Sequence, residues 1–175
     1  MSALLNNVIA FRIFHFLIEK FLKLKFGYTY EKITPKSKPF IVLSNHTTDF
    51  DPLMVGLSFD RMLYYVASDH IFRWGLISSL IRFLASPIPR MKGKTEVQTA
   101  KEVLKRIRRG QNVCIFAEGI RTFSGETQHI PESTGKLVKL SGAGLITYRI
   151  DGGYFTSPRW AKTLRRGFMS GRMVR

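Results

Sequence analysis

The chain has 175 residues, with 28 Lys and Arg against 12 Asp and Glu, and one cysteine. That length fits one domain whose folding buries roughly 70% of the unfolded surface, and a content of 45% hydrophobic and 23% charged residues excludes a disordered chain or a multi-spanning membrane protein. The lone cysteine excludes a disulfide framework or a multi-cysteine metal cluster, and the formal charge of +16 calls for an anionic partner: nucleic acid, an anionic membrane surface or a phosphorylated substrate.

In chain order, Leu4 to Phe26 reads as one helix with a wide apolar arc. Arg12, His15, Glu19 and Lys23 recur at steps of three and four and form a narrow polar stripe. This stripe interrupts every window of the ~20 apolar residues that a spanning helix needs, and no basic segment precedes the apolar run as in a secretory signal. The pattern fits a helix lying in a membrane interface, with Arg12, Lys20, Lys23 and Lys25 near headgroups. It also fits a helix packed on the domain, and the two agree if one face meets protein and the other lipid. Residues 1–30 are therefore set apart from a domain over 36–175.

Pro35 to Pro39 reads as a connector and Phe40–Ser44 as a buried strand. Asp51-Pro52 reads as a helix start, with Asp as N-cap and Pro at the first helical position. Strands follow at Met62 to Ala67, Asn112 to Ala117 and, as the last, Leu145 to Ile150. Helices are predicted over Ile71 to Leu84, Lys94 to Arg109 and Gly135 to Leu140. The middle one turns Val97, Ala100, Val103, Leu104 and Ile107 inward. Strands alternating with helices predict a single α/β domain with a largely parallel core sheet flanked by helices. The closing stretch, Phe155 to Arg175, holds six cations, no acid and no clear periodicity.

Chemistry concentrates at three loops that follow apolar runs, the places where α/β sheets bind ligands. Asn45 to Asp51 carries His46 and, five residues on, Asp51. Across a strand-to-helix turn this spacing brings carboxylate and imidazole together, so that His46 acts as a base and Asp51 fixes its tautomer. A helix-capping Asp51 beside an ordinary loop histidine is the plainer alternative, and Asp49 competes for the carboxylate role. The Phe116 to Thr122 loop offers Arg121 to a phosphate beside the turn at Gly119. Glu118 either orients Arg121 or binds a substrate hydroxyl, unless the loop carries only a surface ion pair. Pro87 to Lys92 places Arg90 at the end of a third segment, where a basic surface loop is the default.

Other candidates fall away. Lys101, Lys105, Arg106, Arg108 and Arg109 make a basic helix face, but no nucleic-acid-binding signature accompanies them. Gly93-Lys94-Thr95 resembles the end of a phosphate-binding loop, yet Ile88 stands where that motif needs glycine. Cys114 sits in an apolar strand and suits core packing. His15, His70 and His129 have no metal-ligand spacing, so no metal site is expected.

Asn45-His46-x4-Asp51, then Arg90, then Phe116-x-Glu118-Gly119-x-Arg121 resembles the glycerolipid acyltransferase family, most of all the 1-acylglycerol-3-phosphate acyltransferases, over about Phe40 to Gly152. The resemblance implies an α/β fold at a membrane surface and transfer of an acyl group from a thioester to lysophosphatidic acid. His46 is then the general base and Asp51 its orienting partner, while Arg90, Glu118, Gly119 and Arg121 bind the acceptor's glycerol phosphate. No cofactor is implied beyond acyl-CoA or acyl carrier protein as co-substrate. The partners are an anionic membrane surface and lysophosphatidic acid, with no nucleic acid, and the localisation is peripheral on the cytoplasmic face.

Three departures stand out. The third block usually reads Glu-Gly-Thr-Arg-Ser, whereas this chain has Ile120 and Thr122 around Arg121. The fourth block usually carries a proline that Gly144 to Ile150 lacks, which leaves open another acceptor, such as glycerol-3-phosphate or another lysolipid, or a degenerate basic membrane-binding module. Family members also commonly extend further beyond the counterpart of Trp160, as expected if this chain is truncated or a minimal member.

Overall fold

The computed structural model describes residues 2–36, 39–68, 88–90 and 96–174. Helix α1 spans Ser2–Phe26, followed by β1 (Thr29–Tyr30), β2 (Phe40–Ser44), α2 (Asp51–Ser58), β3 (Leu63–Ser68) and β4 (Ile88–Arg90). Then come α3 (Glu96–Arg108), β5 (Asn112–Phe116), α4 (Glu132–Ser141), β6 (Gly144–Asp151), α5 (Gly153–Thr156) and β7 (Ser170–Met173). The helix expected over residues 71–84 lies outside the described residues.

The strands form one seven-stranded sheet in the order β1-β7-β6-β2-β5-β3-β4. Neighbours run parallel except β6 and β7, so the predicted α/β fold with a largely parallel sheet is what forms. Strand β2 is central. Its Ser44 is in register with Phe116 on one side and Tyr148 on the other, which gathers the loops leaving β2, β5 and β6 at one end of the sheet.

Alternation along β2 explains the two layers. Phe40 and Val42 face a core shared with Leu22 and Phe26 of α1 and Met54, Val55 and Leu57 of α2. Ile41 faces the opposite core, with Val103 and Ile107 of α3, Val113 and Ile88, and Leu137 and Val138 of α4 packed at its margin. Cys114 is fully buried in the first of these cores, and burial there pushes its thiol well above the ordinary range. Within the same core Tyr148 hydrogen-bonds Ser58 at 2.5 Å and Tyr28 at 3.1 Å, while the Tyr28 hydroxyl also donates to the Met54 carbonyl at 3.0 Å. Burial raises both phenols, so they stay neutral.

Several expectations change. Leu145 to Ile150 is not the last strand, because Ser170–Met173 pairs antiparallel with β6 and parallel with β1. Neither β1 nor β7 shows alternation long enough to read: β1 is two residues and β7 four, and the hydrogen bonds come from distant chain. Val97 is exposed, since α3 docks through its later turns at Val103 and Ile107. Helix α1 does pack on the domain, through Leu22 and Phe26. Phe26 lies 5.2 Å from the ring of Phe50, and Phe21 lies 5.8 Å from the same ring. Its other side leaves Phe16 55%, Leu17 58% and Leu24 81% exposed. Glu19, from the polar stripe, faces the domain edge instead, accepting hydrogen bonds from Tyr30 and Lys23. Among the described residues no helix is long and apolar enough to cross a membrane.

Removing the Phe26 ring tests whether α1 is part of the domain. Phe26→Ala is expected to cost about 3–5 kcal/mol in urea unfolding, the range for a fully buried phenylalanine; a loss below about 1 kcal/mol would mean α1 only rests on the surface.

Candidate active site

Strand β2 ends at Ser44, and the next residue fixes the loop. The Asn45 side chain bonds β6 twice, donating to the Ile150 carbonyl and accepting from the Ile150 N–H, both at 2.8 Å. His46 follows, with its ring stacked on Phe116 of β5 at 4.2 Å between centroids. Phe116 is in turn stacked on Tyr65 of β3. The ring therefore lies against a wall built by two neighbouring strands.

The His46 Nδ1 lies 2.9 Å from Asp51 Oδ2. Asp51 is completely buried and surrounded by donors. The backbone N–H groups of Thr47 and Thr48 reach Oδ2 at 2.5 and 2.9 Å, and the Thr48 hydroxyl donates to Oδ1 at 2.8 Å. A carboxylate oxygen only accepts, so His46 Nδ1–H donates to it and Nε2 is left as the acceptor. Of the two carboxylates the sequence left open, Asp51 is the one on the imidazole. It is not an N-cap, however. Phe50 occupies that position and Asp51 is the first helical residue, with its carboxylate turned back onto the preceding loop.

Asp49 has a different partner. Its carboxylate takes a hydrogen bond from Arg121 at 2.8 Å, in a pair with side chains 49% and 25% exposed. Glu118 does not orient Arg121. It is nearly buried and accepts from the His46 N–H through Oε1 and the Gln128 N–H through Oε2, both at 3.0 Å. It thus ties the dyad loop to the loop after β5. Gly119 turns that loop with φ of 71°, a conformation that favours glycine. Thr122 completes it: its N–H donates to the His46 carbonyl at 2.9 Å, and its hydroxyl donates to Glu126 and accepts from Gly125. Ile120, in the place usually held by threonine in the resembled motif, is half exposed.

Arg90 ends β4, in register with Ser68 of β3. It stands at the same end of the sheet as His46, three strands from β2, or about 14 Å at ordinary strand spacing. A cavity of about 380 Å³ opens beside the dyad loop, lined by Asn45 and Thr47, Gly125 and Thr127, and the Arg149 to Phe155 stretch. Among the described residues no group of His, Cys, Asp and Glu could hold a metal ion.

Sequence reasoning brought His46 and Asp51 together but missed their supports. Phe116 gave no chemical signal of its own. For Thr47 and Thr48 the available clue was their hydroxyls within the x4 gap, four and three residues ahead of a carboxylate in need of donors.

A buried carboxylate–imidazole pair at the end of a central parallel strand, with an arginine on the adjoining loop, defines a site for base-assisted group transfer. The chain belongs to the acyltransferase family, whose sequence profile matches residues 25–150, the stretch that holds His46, Asp51, Arg90, Glu118 and Arg121. Its fold is similar to that of the 1-acyl-sn-glycerophosphate (LPA) acyltransferase PlsC from Thermotoga maritima, with a TM-score of 0.73 and 21% identity, over 94% of this chain and 69% of that one. No curated protein matches the chain in sequence.

Two substitutions probe the supports. Thr48→Val keeps the shape but removes a donor to a buried carboxylate, and should cost roughly 1.5–3 kcal/mol of stability in denaturant titration. Glu118→Gln leaves an amide N–H₂ facing one of the two backbone donors. If His46 shifts by about an ångström, turnover should drop by up to ~10²-fold with the acceptor KM little changed. A raised KM at normal turnover would instead mark Glu118 as a direct substrate contact.

Proposed function

We propose that the protein transfers a fatty acyl group from an acyl thioester, acyl-CoA or acyl-acyl carrier protein, to the free hydroxyl of lysophosphatidic acid, giving phosphatidic acid. The observation that carries the reading is the His46 Nδ1–Asp51 Oδ2 contact of 2.9 Å, which leaves Nε2 to act as base. A second support is the name of the similar Thermotoga maritima enzyme, a 1-acyl-sn-glycerophosphate acyltransferase.

The acceptor hydroxyl gives its proton to His46 Nε2 as its oxygen attacks the thioester carbonyl. Asp51 stabilises the imidazolium that forms. When the tetrahedral intermediate collapses, the carbon–sulfur bond breaks and the imidazolium proton goes to the departing thiolate, so no acyl-enzyme is required. Arg121 binds the acceptor's phosphate. Its pairing with Asp49 is partly solvent-screened and of small net worth, so a phosphate dianion offering bidentate geometry displaces it. Arg90 meets the same phosphate from the β4 side, while Glu118 and Gly119 shape the headgroup pocket between them.

The outward apolar side of α1, with Phe16, Leu17 and Leu24 exposed beside Lys20, rests in the membrane interface. The protein is accordingly peripheral on the cytoplasmic leaflet, whose anionic lipids complement a net charge of +16.

A thiol-release assay with acyl-CoA, and in parallel with acyl-acyl carrier protein, tests the reading with and without lysophosphatidic acid. Release should depend on the acceptor and fall ~10²–10⁴-fold in His46→Ala, the usual contribution of general base catalysis. Turnover with glycerol-3-phosphate but not with lysophosphatidic acid would overturn the acceptor assignment. Silence with both donors and all acceptors would overturn the enzyme reading.

A further inference from the structure

The stretch from α5 to β7 is folded but presents its greasy side chains to solvent. Phe155 is 75% and Phe168 90% exposed, with Trp160 at 48% and Leu164 at 41% between them. Exposed aromatic residues at this density mark an interaction surface rather than a solvated loop. Four exposed cations are interleaved with them: Arg159, Lys162, Arg165 and Arg166. From Gly152 to the end of the chain there is no Asp or Glu.

The backbone beneath is held in place. The Arg165 N–H donates to the Thr156 carbonyl at 2.8 Å, and the Met169 N–H donates to the Phe26 carbonyl at 3.1 Å. The buried Thr156 hydroxyl donates to the Gly153 carbonyl, and the Arg165 guanidinium lies 5.7 Å from the Trp160 ring. The stretch begins beside the dyad, where Gly153 packs on Thr47, and ends at the last turn of α1, where Phe168 packs on Gly27. It therefore joins the outward face of α1 to the rim of the site.

From this placement we infer that the segment from Phe155 to Phe168 is a second lipid-contact surface. It seats Phe155, Trp160, Leu164 and Phe168 among the lipids of an anionic bilayer, with the four cations at the phosphates, and holds the mouth of the His46 site against the membrane. Aromatic rings with Lys and Arg beside them suit the bilayer interface. A second copy of the chain is the poorer occupant, because it would bring a like-charged surface to this one. The inference deepens the acyltransferase reading and rests on it only for its purpose, which is to meet an acceptor that lives in lipid.

The test is co-sedimentation of the whole chain with phosphatidylcholine vesicles, with and without phosphatidylglycerol. Replacing Arg159, Lys162, Arg165 and Arg166 by Gln should lower partition onto the anionic vesicles by about 10³-fold at low salt, with little change on neutral ones. Phe168→Ser should weaken binding to both. Turnover of a short-chain, micelle-free acceptor should be unchanged in each variant. Absent turnover in every form would count against the enzyme reading alone, since vesicle binding is read separately. In a Trp74→Phe background Trp160 should shift its emission to the blue on vesicle addition and be quenched by brominated lipid, which needs no change in the segment itself. Unaltered partition of the Gln variant, or an unmoved Trp160 spectrum, would overturn the inference. So would a lipid-free dimer that Phe168→Ser dissolves in sedimentation velocity.

Discussion

The structure is organised around one buried negative charge. The Asp51 carboxylate is inaccessible to solvent, and an unpaired charge in that position would be prohibitively costly. Its donors come from one short stretch: the His46 ring and the backbone and hydroxyls of Thr47 and Thr48. The loop must therefore fold back over the first turn of α2. Once it does, the imidazole has a single tautomer and a single direction. Asn45, bonded to Ile150 of β6, and Glu118, after β5, then clamp the loop from both sides.

Local features of this arrangement could be read in advance. The two central strands show as the apolar runs Phe40–Ser44 and Asn112–Phe116, and the five-residue step from His46 to Asp51 spans one strand-to-helix turn. What escaped is non-local. Arg121 finds Asp49 rather than Glu118, and Glu118 finds backbone N–H groups at both ends of a loop network that no spacing reveals. Strand β7, Ser-Gly-Arg-Met, has little intrinsic strand character. It is a strand because β6 and β1 supply its partners. The N-cap assigned to Asp51 failed for a related reason: its side chain had stronger donors behind it than the helix offered ahead.

Helix α1 was legible as a segment but not in orientation. Its apolar arc is wide enough to serve two environments. The domain takes Leu22 and Phe26, while Phe16, Leu17 and Leu24 face outward and Phe21 touches the same Phe50 ring, the residue before Asp51. Aromatic contacts therefore link the outer helix, through Phe21 and Phe26, to the loop that carries the dyad.

Cys114 has a practical consequence. It is the chain's one thiol, at the middle of β5, paired in register with Val42 on β2 and Tyr65 on β3. Only thiolate reacts with alkylating reagents, and burial disfavours that form. The folded protein should be silent to such reagents until β5 separates from its neighbours. Strand β5 thus carries its own clock for the opening of the sheet, readable in the unmodified sequence with no label introduced.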